Sequence, residues 1–402
     1  MKGENVIAGL DIGTTKVCVV VAEIVGNELQ ICGVSSSPSS GLMKGVVMNT
    51  ELAVESIKNA VRDAESLTGI NINTVRVGIS GGLIKGFDNR GAVGIKGRDV
   101  SFIDVERVTE SAKAAYIPLD REVLHVIPAG YTLDGHNGIR NPLGMVGIRL
   151  EAKVYIVTGS ATAVQNMLKC CEKARLDVQD IVFEPLASAA AILTNDEKEL
   201  GVVIADIGGG TTNIILYKDG WLRHVSALSV GGNHFTNDIA VGLRVSVSEA
   251  ERLKKIYGVA TTHLVNESEE IEIVQAKKGR KILRRYLSEI IEPRSVELLR
   301  LIKNELASCS GYEMASAGIV LTGGGSTLEG FDRLAETVLR LPARIGYVKK
   351  IKGCGEMVNP MYASGVGLVL YDLETKADSA LYPDDMGGVF TKMRNWMRGI
   401  FR

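Results

Sequence analysis

Residues 6–17 read VIAGLDIGTTKV, and residues 202–214 read VVIADIGGGTTNI. In each copy an apolar run ends in Asp-Ile-Gly, a turn containing Gly and Thr follows, and a second apolar run returns. We therefore predict two matching β-hairpins, one at the start of each half of the chain. Walker and dinucleotide-binding loops lead into a helix rather than a strand, so neither of these motifs is present.

A third glycine cluster occurs in IVLTGGGST at residues 319–327, where it also follows an apolar run. The pattern then turns helical from 328 to 339, so this cluster can place a helix end over a ligand. Other helical patterns span 51–68, 104–116, 161–174, 246–257 and 293–308, and strand patterns span 74–80, 123–127, 149–157, 270–275 and 281–283. This mixture predicts an α/β protein with two related halves.

The composition predicts an aliphatic core shared among two or three domains, since the 402 residues are 46% hydrophobic and only 5% aromatic. Because 46 basic residues balance 47 acidic ones, no overall field attracts nucleic acid or a membrane. The basic run at 277–285 lacks interleaved aromatic residues. We therefore predict no nucleic-acid partner and interpret this run as a solvated or acidic-peptide-binding face.

The cysteine and histidine residues predict no metal site. The six cysteines form no CxxC pair, and the five histidines are scattered along the chain. The first residues lack the pattern of a signal peptide, and no run approaches the roughly 20 apolar residues needed to span a bilayer. We therefore predict a reduced, cytoplasmic chain.

The paired hairpin turns predict a polyphosphate site, with a purely structural repeat as the alternative. Backbone N–H groups of a Gly/Thr turn converge on anionic oxygens, and threonine hydroxyls add further donors. Two facing turns could grip a triphosphate, while Asp11 and Asp206 hold a hydrated Mg2+ through water and Lys16 reaches a phosphate. The other candidate ligands are Gly13, Thr14, Thr15, Gly208, Gly209, Gly210, Thr211 and Thr212.

Three motifs resemble the superfamily of actin, heat-shock chaperone and sugar-kinase ATPases: DIGTTK at 11–16, ADIGGGTT at 205–212 and LTGGG at 321–325. The insertion before 161, the segment LSEIIEPR at 287–294 and the C-terminal peptide further resemble the FtsA family of bacterial actin-like cell-division proteins. The resemblance covers nearly the whole chain. It implies an actin-like (ribonuclease H-like duplicated) two-lobed α/β ATPase fold with an inserted small α/β domain and a C-terminal amphipathic helix.

The same resemblance implies a division of the chain into lobes, insertions and a tail. The parts are the first-lobe core (1–84 and 162–195), the inserted domain (85–161), the second-lobe core (196–228 and 311–371), its subdomain (229–310), a flexible linker (372–388) and an amphipathic helix (389–402). The linker is expected because its Pro, Gly and Asp residues show no apolar periodicity.

The resemblance implies ATP and Mg2+ between the lobes, and roles for particular residues. Glu184 precedes a proline, in the segment where a glutamate of the superfamily helps to place the attacking water. The alternative is that Glu184 is simply a carboxylate at the start of a helix. Glu251 and Lys254 share a helix face and would contact ribose and base, or else form a surface ion pair. The residues expected to border the adenosine are Gly231, Gly232, Asn233, Gly323, Gly324, Gly325 and Ser326. Residues 359–367 would form a rear hinge helix.

The resemblance also implies partners. Arg294 matches the Arg of a Glu-Pro-Arg segment associated with docking the C-terminal tail of the tubulin-like division protein FtsZ, and Arg285 is a candidate by proximity alone. Both could instead be helix-surface charges. Self-assembly into protofilaments, and contacts of the inserted domain with other division proteins, are further expectations.

Residues 389–402 predict a helix that lies in a membrane interface, with a core helix as the alternative. The stretch carries a charge of +4 and no acidic residue; since the whole chain sums to −1, the other 388 residues sum to −5. Its apolar residues fall at helical spacing, and its cations would face anionic headgroups. The expected membrane contacts are Phe390, Lys392, Met393, Arg394, Trp396, Met397, Arg398, Ile400 and Phe401.

Together these features predict an actin-like ATP-binding division protein that polymerises on the cytoplasmic face of the membrane and anchors the FtsZ ring at the division site. It would be a scaffold first, with at most slow ATP hydrolysis. Single tail helices bind weakly, so a filament holding several in line would bind far more strongly. Two alternatives remain: a pilus-assembly actin-like adaptor, and a small-molecule kinase of the same superfamily, which would need a further carboxylate base and no amphipathic tail.

Overall fold

The computed structural model describes residues 6–26, 28–275, 278–309, 311–349, 351–353, 355 and 359–379. Its strands are β1 (Val6–Ile12), β2 (Lys16–Val25), β3 (Glu28–Pro38), β4 (Leu42–Met43), β5 (Val46–Val47), β6 (Thr74–Ile79), β7 (Lys85–Asp99), β8 (Arg121–Leu133), β9 (His136–Ile139), β10 (Val146–Ser160), β11 (Asp177–Phe183), β12 (Val202–Ile207), β13 (Thr212–Lys218), β14 (Trp221–Leu228), β15 (Glu270–Gln275), β16 (Lys278–Leu283), β17 (Ile319–Thr322) and β18 (Ala343–Ile345). Its α-helices are α1 (Thr50–Thr68), α2 (Phe102–Lys113), α3 (Ala161–Lys173), α4 (Glu184–Ile192), α5 (Asn195–Leu200), α6 (Gly232–Leu243), α7 (Val247–Tyr257), α8 (Arg284–Ser308), α9 (Gly311–Met314), α10 (Phe331–Leu339) and α11 (Ala363–Ser379).

Two five-stranded sheets have the same arrangement, in the orders β11-β6-β1-β2-β3 and β18-β17-β12-β13-β14. In each, an antiparallel hairpin continues into a third antiparallel strand and has a parallel strand on its other side. The hairpin registers correspond, because Asp11 pairs with Cys18 and Asp206 pairs with Asn213. The predicted duplicated, two-lobed actin-like α/β fold is confirmed.

Helices cover both faces of the first sheet, which explains why its inner strands β1 and β2 are buried along most of their length. Alternate residues of a strand point to opposite faces. Val19 accordingly belongs to one buried cluster with Ile57 of α1, whereas Val20 belongs to another with Ala189 of α4 and Val366 of α11. This second cluster extends across the junction of the lobes and includes residues from both sheets.

Residues 85–160 form the inserted α/β domain, a sheet in the order β7-β10-β8-β9 with α2 packed against β7 and β10. The helix begins at Phe102, two residues before the predicted start. Ser101 sets this start, because its backbone N–H donates to the Asp104 carboxylate at 2.9 Å in a capping arrangement. The strands β8 and β10 also extend beyond the predicted spans of 123–127 and 149–157.

The inserted domain contacts both lobes. In the first lobe, the Phe183 backbone N–H donates to His125 Nε2 at 2.9 Å. The helix α11 packs on the strands of the first sheet, and the ring centroid of its residue Tyr371 lies 5.9 Å from that of His125. In the second lobe, the Val225 backbone N–H donates to Tyr155 Oη at 2.9 Å. Burial lowers the pKa of His125 to about 4, so the ring is neutral at physiological pH and its Nε2 lone pair is free to accept.

The subdomain of the second lobe contains α6, α7, the β15–β16 hairpin and α8. The start predicted for α8 at 293 is wrong, since the helix begins at Arg284 and encloses Pro293. Residues 284–292 are helical because Leu287 and Ile291, one turn apart, are both buried in the core of this lobe. That burial outweighs the backbone hydrogen bond lost at the proline.

The helix α11 runs to Ser379, so the first eight residues of the predicted linker, 372–379, are helical. These residues contain neither Pro nor Gly, and Pro383 is the first strong helix breaker after them. The rest of the predicted linker and the whole predicted membrane helix, 389–402, lie outside the described residues. No helix among the described residues has the length and apolar character required to cross a bilayer.

Candidate functional site

The two Gly/Thr turns are closed by the same hydrogen bond. The Gly13 N–H donates to the Lys16 carbonyl at 2.9 Å, and the Gly208 N–H donates to the Thr211 carbonyl at 2.9 Å. In both turns the glycine follows an Asp-Ile pair at the end of a buried strand. The repeated sequence thus builds a repeated backbone structure, one copy in each lobe.

The two turns face each other across the junction of the lobes. A Cβ added at Gly209 would lie 2.4 Å from Thr15 Cγ2, and one added at Gly210 would lie 2.8 Å from Thr14 Oγ1. Only glycine therefore fits at 209 and 210 in this arrangement, and two threonine side chains lie against these glycines. The structure brings these four predicted ligands together.

The second pair of threonines is placed differently. Thr211 and Thr212 are both buried, and the Thr212 hydroxyl donates to the Val230 carbonyl at 2.8 Å. This bond fixes the position of the segment that leads into α6. The Thr212 hydroxyl therefore stabilises the backbone beside the second turn. The residues that contact the opposite turn are the glycines 209 and 210 instead.

Three carboxylates, from three different elements, are buried behind the turns. Asp11 and Asp206 are the penultimate residues of β1 and β12, and Glu184 begins α4. Their exposures are 6% for Asp11, 7% for Glu184 and 5% for Asp206. Burial raises the pKa of each of the three, and the charge of Asp11 contributes further to the shifts of Glu184 and Asp206. Several acidic groups held close together in a dry site disfavour full ionisation and favour a cation.

Glu184 is the carboxyl of the three that most strongly favours the protonated form. Its pKa lies well above the usual value, first because of burial and then because of the Asp11 charge. The Glu184 Oε1 atom is buried and has no hydrogen-bond partner within the described structure. An unpartnered acceptor beside other carboxylates fits a hydrated cation.

Lys16 does not extend freely toward the space between the turns. Its ammonium donates to the Met361 carbonyl and lies 4.8 Å from the centroid of the Tyr362 ring. Burial disfavours its charge, but nearby groups that include Asp11 and Asp206 outweigh that effect and raise its pKa. Lys16 therefore connects the first turn to the segment that enters α11, and it partly balances the carboxylates.

Two serines orient Asp206, and sequence reasoning missed both. Ser188 Oγ of α4 donates to Asp206 Oδ2 at 2.8 Å, and Ser364 Oγ of α11 donates to the same atom at 3.1 Å. Gly323 is equally close on the other side, because a Cβ there would lie 2.4 Å from Asp206 Oδ1. The sequence feature that could have identified these serines is that each is the single serine in a run of small residues, EPLASAAAI for Ser188 and ASGVG for Ser364.

The residues predicted to border the adenosine gather beside the second turn. The N–H groups of Gly232 and Asn233, next to Gly231, donate to the carbonyls of Gly208 and Gly209 at 2.9 and 2.8 Å. Lys254 Nζ donates to the Gly232 carbonyl at 3.0 Å and pairs with Glu251 at 2.6 Å. The Glu251–Lys254 pair is therefore an ion pair, and it also braces the first turn of α6.

The third glycine cluster packs against the same turn. A Cβ at Gly325 would lie 2.4 Å from Ile207 Cγ2, whereas one at Gly324 would meet nothing within 4 Å. Ser326 Oγ donates to the Gly323 carbonyl at 2.8 Å and closes a short 3-10 turn over Gly324–Thr327. The helix α10 follows only at Phe331, so the predicted helix start at 328 is wrong and Gly324 borders open space.

The two predicted partner residues both lie on α8. Arg294 pairs with Asp238 of α6, with nitrogen–oxygen distances of 2.7 and 3.1 Å, and also with Glu297. Arg285 pairs with Glu267 and Glu289. Both guanidinium groups are thus already engaged within the protein. Other members of the basic run are paired as well, namely Lys281 with Glu270 and Arg284 with Glu269.

Comparisons with known proteins identify the family. The family model described as Cell division protein FtsA matches residues 203–367, and the model of the SHS2 domain inserted in FtsA matches residues 81–158. The cell division protein FtsA of Pseudomonas aeruginosa is 42% identical over 411 residues, covering 99% of this chain and 98% of the relative. The match thus spans both lobes and the inserted domain.

Solved structures share the fold at low sequence identity. The PilM–PilN type IV pilus biogenesis complex matches with a TM-score of 0.63 at 19% identity, covering 91% of this chain and 98% of that one. MreB 5 of Spiroplasma citri bound to AMPPNP matches with a TM-score of 0.55 at 17% identity, covering 94% and 98%. The likeness to the pilus complex is one of fold alone, whereas the Pseudomonas aeruginosa FtsA is similar in sequence along nearly its whole length. The chain belongs to the FtsA family of bacterial cell division proteins.

Proposed function

We propose that this FtsA family member binds Mg-ATP between its lobes and assembles into filaments on the cytoplasmic face of the membrane, where it anchors the FtsZ ring at the division site. The observation that carries the nucleotide site is the set of three buried carboxylates behind two facing, identically hydrogen-bonded turns. Turns of this kind offer N–H groups and hydroxyls to phosphate oxygens. The same fold is found in an MreB structure with bound AMPPNP.

Asp11 and Asp206 are the residues proposed to hold Mg2+. When bound, Mg2+ neutralises phosphate charge, and it prefers to keep several of its own water molecules. Among the described residues, no three His, Cys, Asp or Glu side chains lie close enough together to ligate a metal ion directly. We therefore propose contacts through water. Ser188 and Ser364 keep Asp206 aimed at the site, and Glu184, once ionised, orients the attacking water.

We expect binding of Mg-ATP to favour the ionised form of Glu184, because a Mg2+ ion beside this buried carboxyl would lower its raised pKa. Titration calorimetry at pH 7 in two buffers of different ionisation enthalpy should detect release of up to one proton per nucleotide. The Glu184→Gln variant should bind Mg-ATP with most of this release lost. The exposed α1 variant Glu55→Gln serves as the control and should behave like the parent. Equal proton release in the parent and in Glu184→Gln would contradict the assignment.

Membrane binding is proposed for residues 389–402 on the strength of their sequence. At about 1 kcal/mol for each basic residue near an anionic leaflet, the four cations contribute only about 4 kcal/mol. The apolar stripe must supply the rest, so a single helix binds weakly and reversibly. Filament formation and membrane binding therefore reinforce each other, since each further helix in a filament inserts at high effective concentration.

We expect Trp396→Glu to weaken co-sedimentation with anionic vesicles about tenfold, because a charge replaces an interfacial aromatic side chain. The matched control is Asn395→Glu, which adds the same charge on the polar side of the predicted helix. A chain truncated after residue 388 provides the baseline without binding. Equal losses for the two substitutions would indicate a purely electrostatic contact, and full binding by the truncated chain would remove the tether from this segment.

The FtsZ tail is proposed to dock on the subdomain that contains Arg294. A carboxylate of an acidic peptide would compete with Asp238 for the guanidinium group, and one quarter of the Arg294 side chain is exposed to such a competitor. Asp238 lies on α6, whose first turn is hydrogen-bonded to the Gly208 and Gly209 carbonyls. The proposed peptide site and the proposed nucleotide site thus share one helix.

A further inference from the structure

A tight hairpin outside the predicted motifs reaches the junction of the two turns. Its strands β4 and β5 are joined by Lys44 and Gly45, which both have positive φ angles, of 51° and 77°. This is the geometry of a type I′ turn, in which Asn or Asp usually precedes the glycine. A lysine in that position places a flexible cation at the tip of the hairpin.

The hairpin tip touches both Gly/Thr turns at once. The Gly45 N–H donates to Thr14 Oγ1 of the first turn at 3.3 Å. A Cβ added at Gly210 of the second turn would lie 3.2 Å from both the N and the Cα of Lys44. The backbone of Lys44 is therefore held at the line where the two lobes meet.

The tip also borders the segment next to Glu184. A Cβ added at Gly45 would lie 2.8 Å from the Ser80 carbonyl, and a Cβ added two residues before Ser80, at Gly78, would lie 2.9 Å from Glu184 Cγ. The proposed adenosine contacts, around Gly232 and Gly324, all lie on the second lobe. A nucleotide that extends from there toward the first lobe would bring its last phosphate to the hairpin tip.

The charge of Lys44 is available for such a phosphate. Its side chain is exposed and forms no ion pair with any carboxylate of the described residues. By contrast, the ammonium of Lys16 is bonded to the Met361 carbonyl. The donors supplied by the turns themselves are neutral, so a mobile ammonium on a four-carbon stem adds the missing positive charge.

We propose that Lys44 binds the terminal phosphate of the bound nucleotide and thereby makes the site distinguish a nucleoside triphosphate from a diphosphate. The inference rests on the proposed binding of ATP between the lobes. Phosphate contact by a lysine that is free in the described structure strengthens binding without breaking an existing ion pair. Lys44 is then a specificity residue that comes from outside both repeated hairpins.

The test compares the affinities of the full-length protein for fluorescent mant-ATP and mant-ADP, both with Mg2+. Because a charged hydrogen bond is lost, Lys44→Ala should weaken ATP binding about tenfold and ADP binding less than about twofold. Alanine keeps the Cβ and thus the backbone strain of the turn, and retained ADP affinity reports an intact site. Lys44→Arg should restore most of the preference, and Lys58→Ala, on the exposed face of α1, should match the parent.

Equal weakening of both nucleotides, or of neither, in Lys44→Ala would overturn the assignment of Lys44. Failure of the parent protein to bind either nucleotide would instead overturn the proposed ATP site, and the role of Lys44 with it. The two failures are therefore distinguishable in one set of titrations.

Discussion

Replacing Asp206 with asparagine is expected to weaken Mg-ATP binding about 100-fold, which corresponds to about 2.7 kcal/mol. The substitution preserves shape, and an amide oxygen can still accept the hydrogen bonds from Ser188 and Ser364. What disappears is the negative charge that faces the hydrated cation. Bonds to charged groups contribute about 1.5–3 kcal/mol each, so the loss of this carboxylate should dominate the change in affinity.

The same substitution should raise the free energy of unfolding of the unliganded protein. Burial and the nearby Asp11 raise the pKa of Asp206 in the folded state, so the ionised form is less favourable there than in the unfolded chain. This deficit is present at neutral pH and vanishes as the pH falls below the unfolded-state pKa. The asparagine side chain carries no charge, so the substitution removes the deficit. A gain in stability together with a loss of affinity would show that the buried charge of Asp206 destabilises the unliganded protein and stabilises the complex.

Calorimetry for binding and urea unfolding for stability test both halves of this prediction. The exposed residue Asp196 of α5 provides the control, because Asp196→Asn removes the same charge far from the buried carboxylates. Unchanged Mg-ATP affinity in Asp206→Asn would exclude Asp206 from the site. Lower stability with unchanged affinity would assign it a purely structural role.

Replacing Gly367 with alanine is expected to lower the free energy of unfolding by about 3 kcal/mol or more. The added Cβ would lie 1.9 Å from the carbonyl oxygen of Ala187 and 2.2 Å from its carbonyl carbon. Both atoms belong to the backbone of α4, so no side-chain rotation relieves the clash. The predicted hinge segment 359–367 does contain this close crossing, where α11 packs against α4.

The free energy of unfolding of Gly367→Ala, measured with urea, should be compared with that of Gly94→Ala in the inserted domain. An added Cβ at Gly94 meets nothing within 4 Å. The control should change stability by less than about 0.5 kcal/mol. Because Ser188 lies on α4 and Ser364 on α11, pushing these helices apart should also weaken Mg-ATP binding. A Gly367→Ala protein as stable as the parent would show that the crossing is looser than the structure indicates.

The duplicated hairpins could be predicted from sequence because their signal is short-range. Each consists of one apolar run, one turn and a second apolar run, and the Asp at the strand end falls in the same place twice. The internal match between 6–17 and 202–214 then indicated the two-lobed fold without any knowledge of contacts between the lobes.

The contacts of Ser364, Lys44 and Lys16 around the site could not be predicted, because they join distant parts of the chain. Ser364 reaches Asp206 across 158 positions, and Lys44 is placed beside Gly210 only by the packing of one lobe on the other. The ammonium of Lys16 is directed by a carbonyl 345 positions away. Local propensity alone predicts that α8 begins at Pro293. The helix begins earlier because Leu287 and Ile291 are buried, and that burial cannot be read from local propensity.

The hydrogen bonds between Phe183 and His125 and between Val225 and Tyr155 attach the sheet of the inserted domain to both lobes. A rotation of one lobe relative to the other must either break one of these attachments or tilt the sheet. A tilt displaces the edge strand β9 more than the inner strands β8 and β10 that carry the two attachments, because displacement grows with distance from the axis. Any protein that binds at that edge would therefore sense the opening angle between the lobes in amplified form.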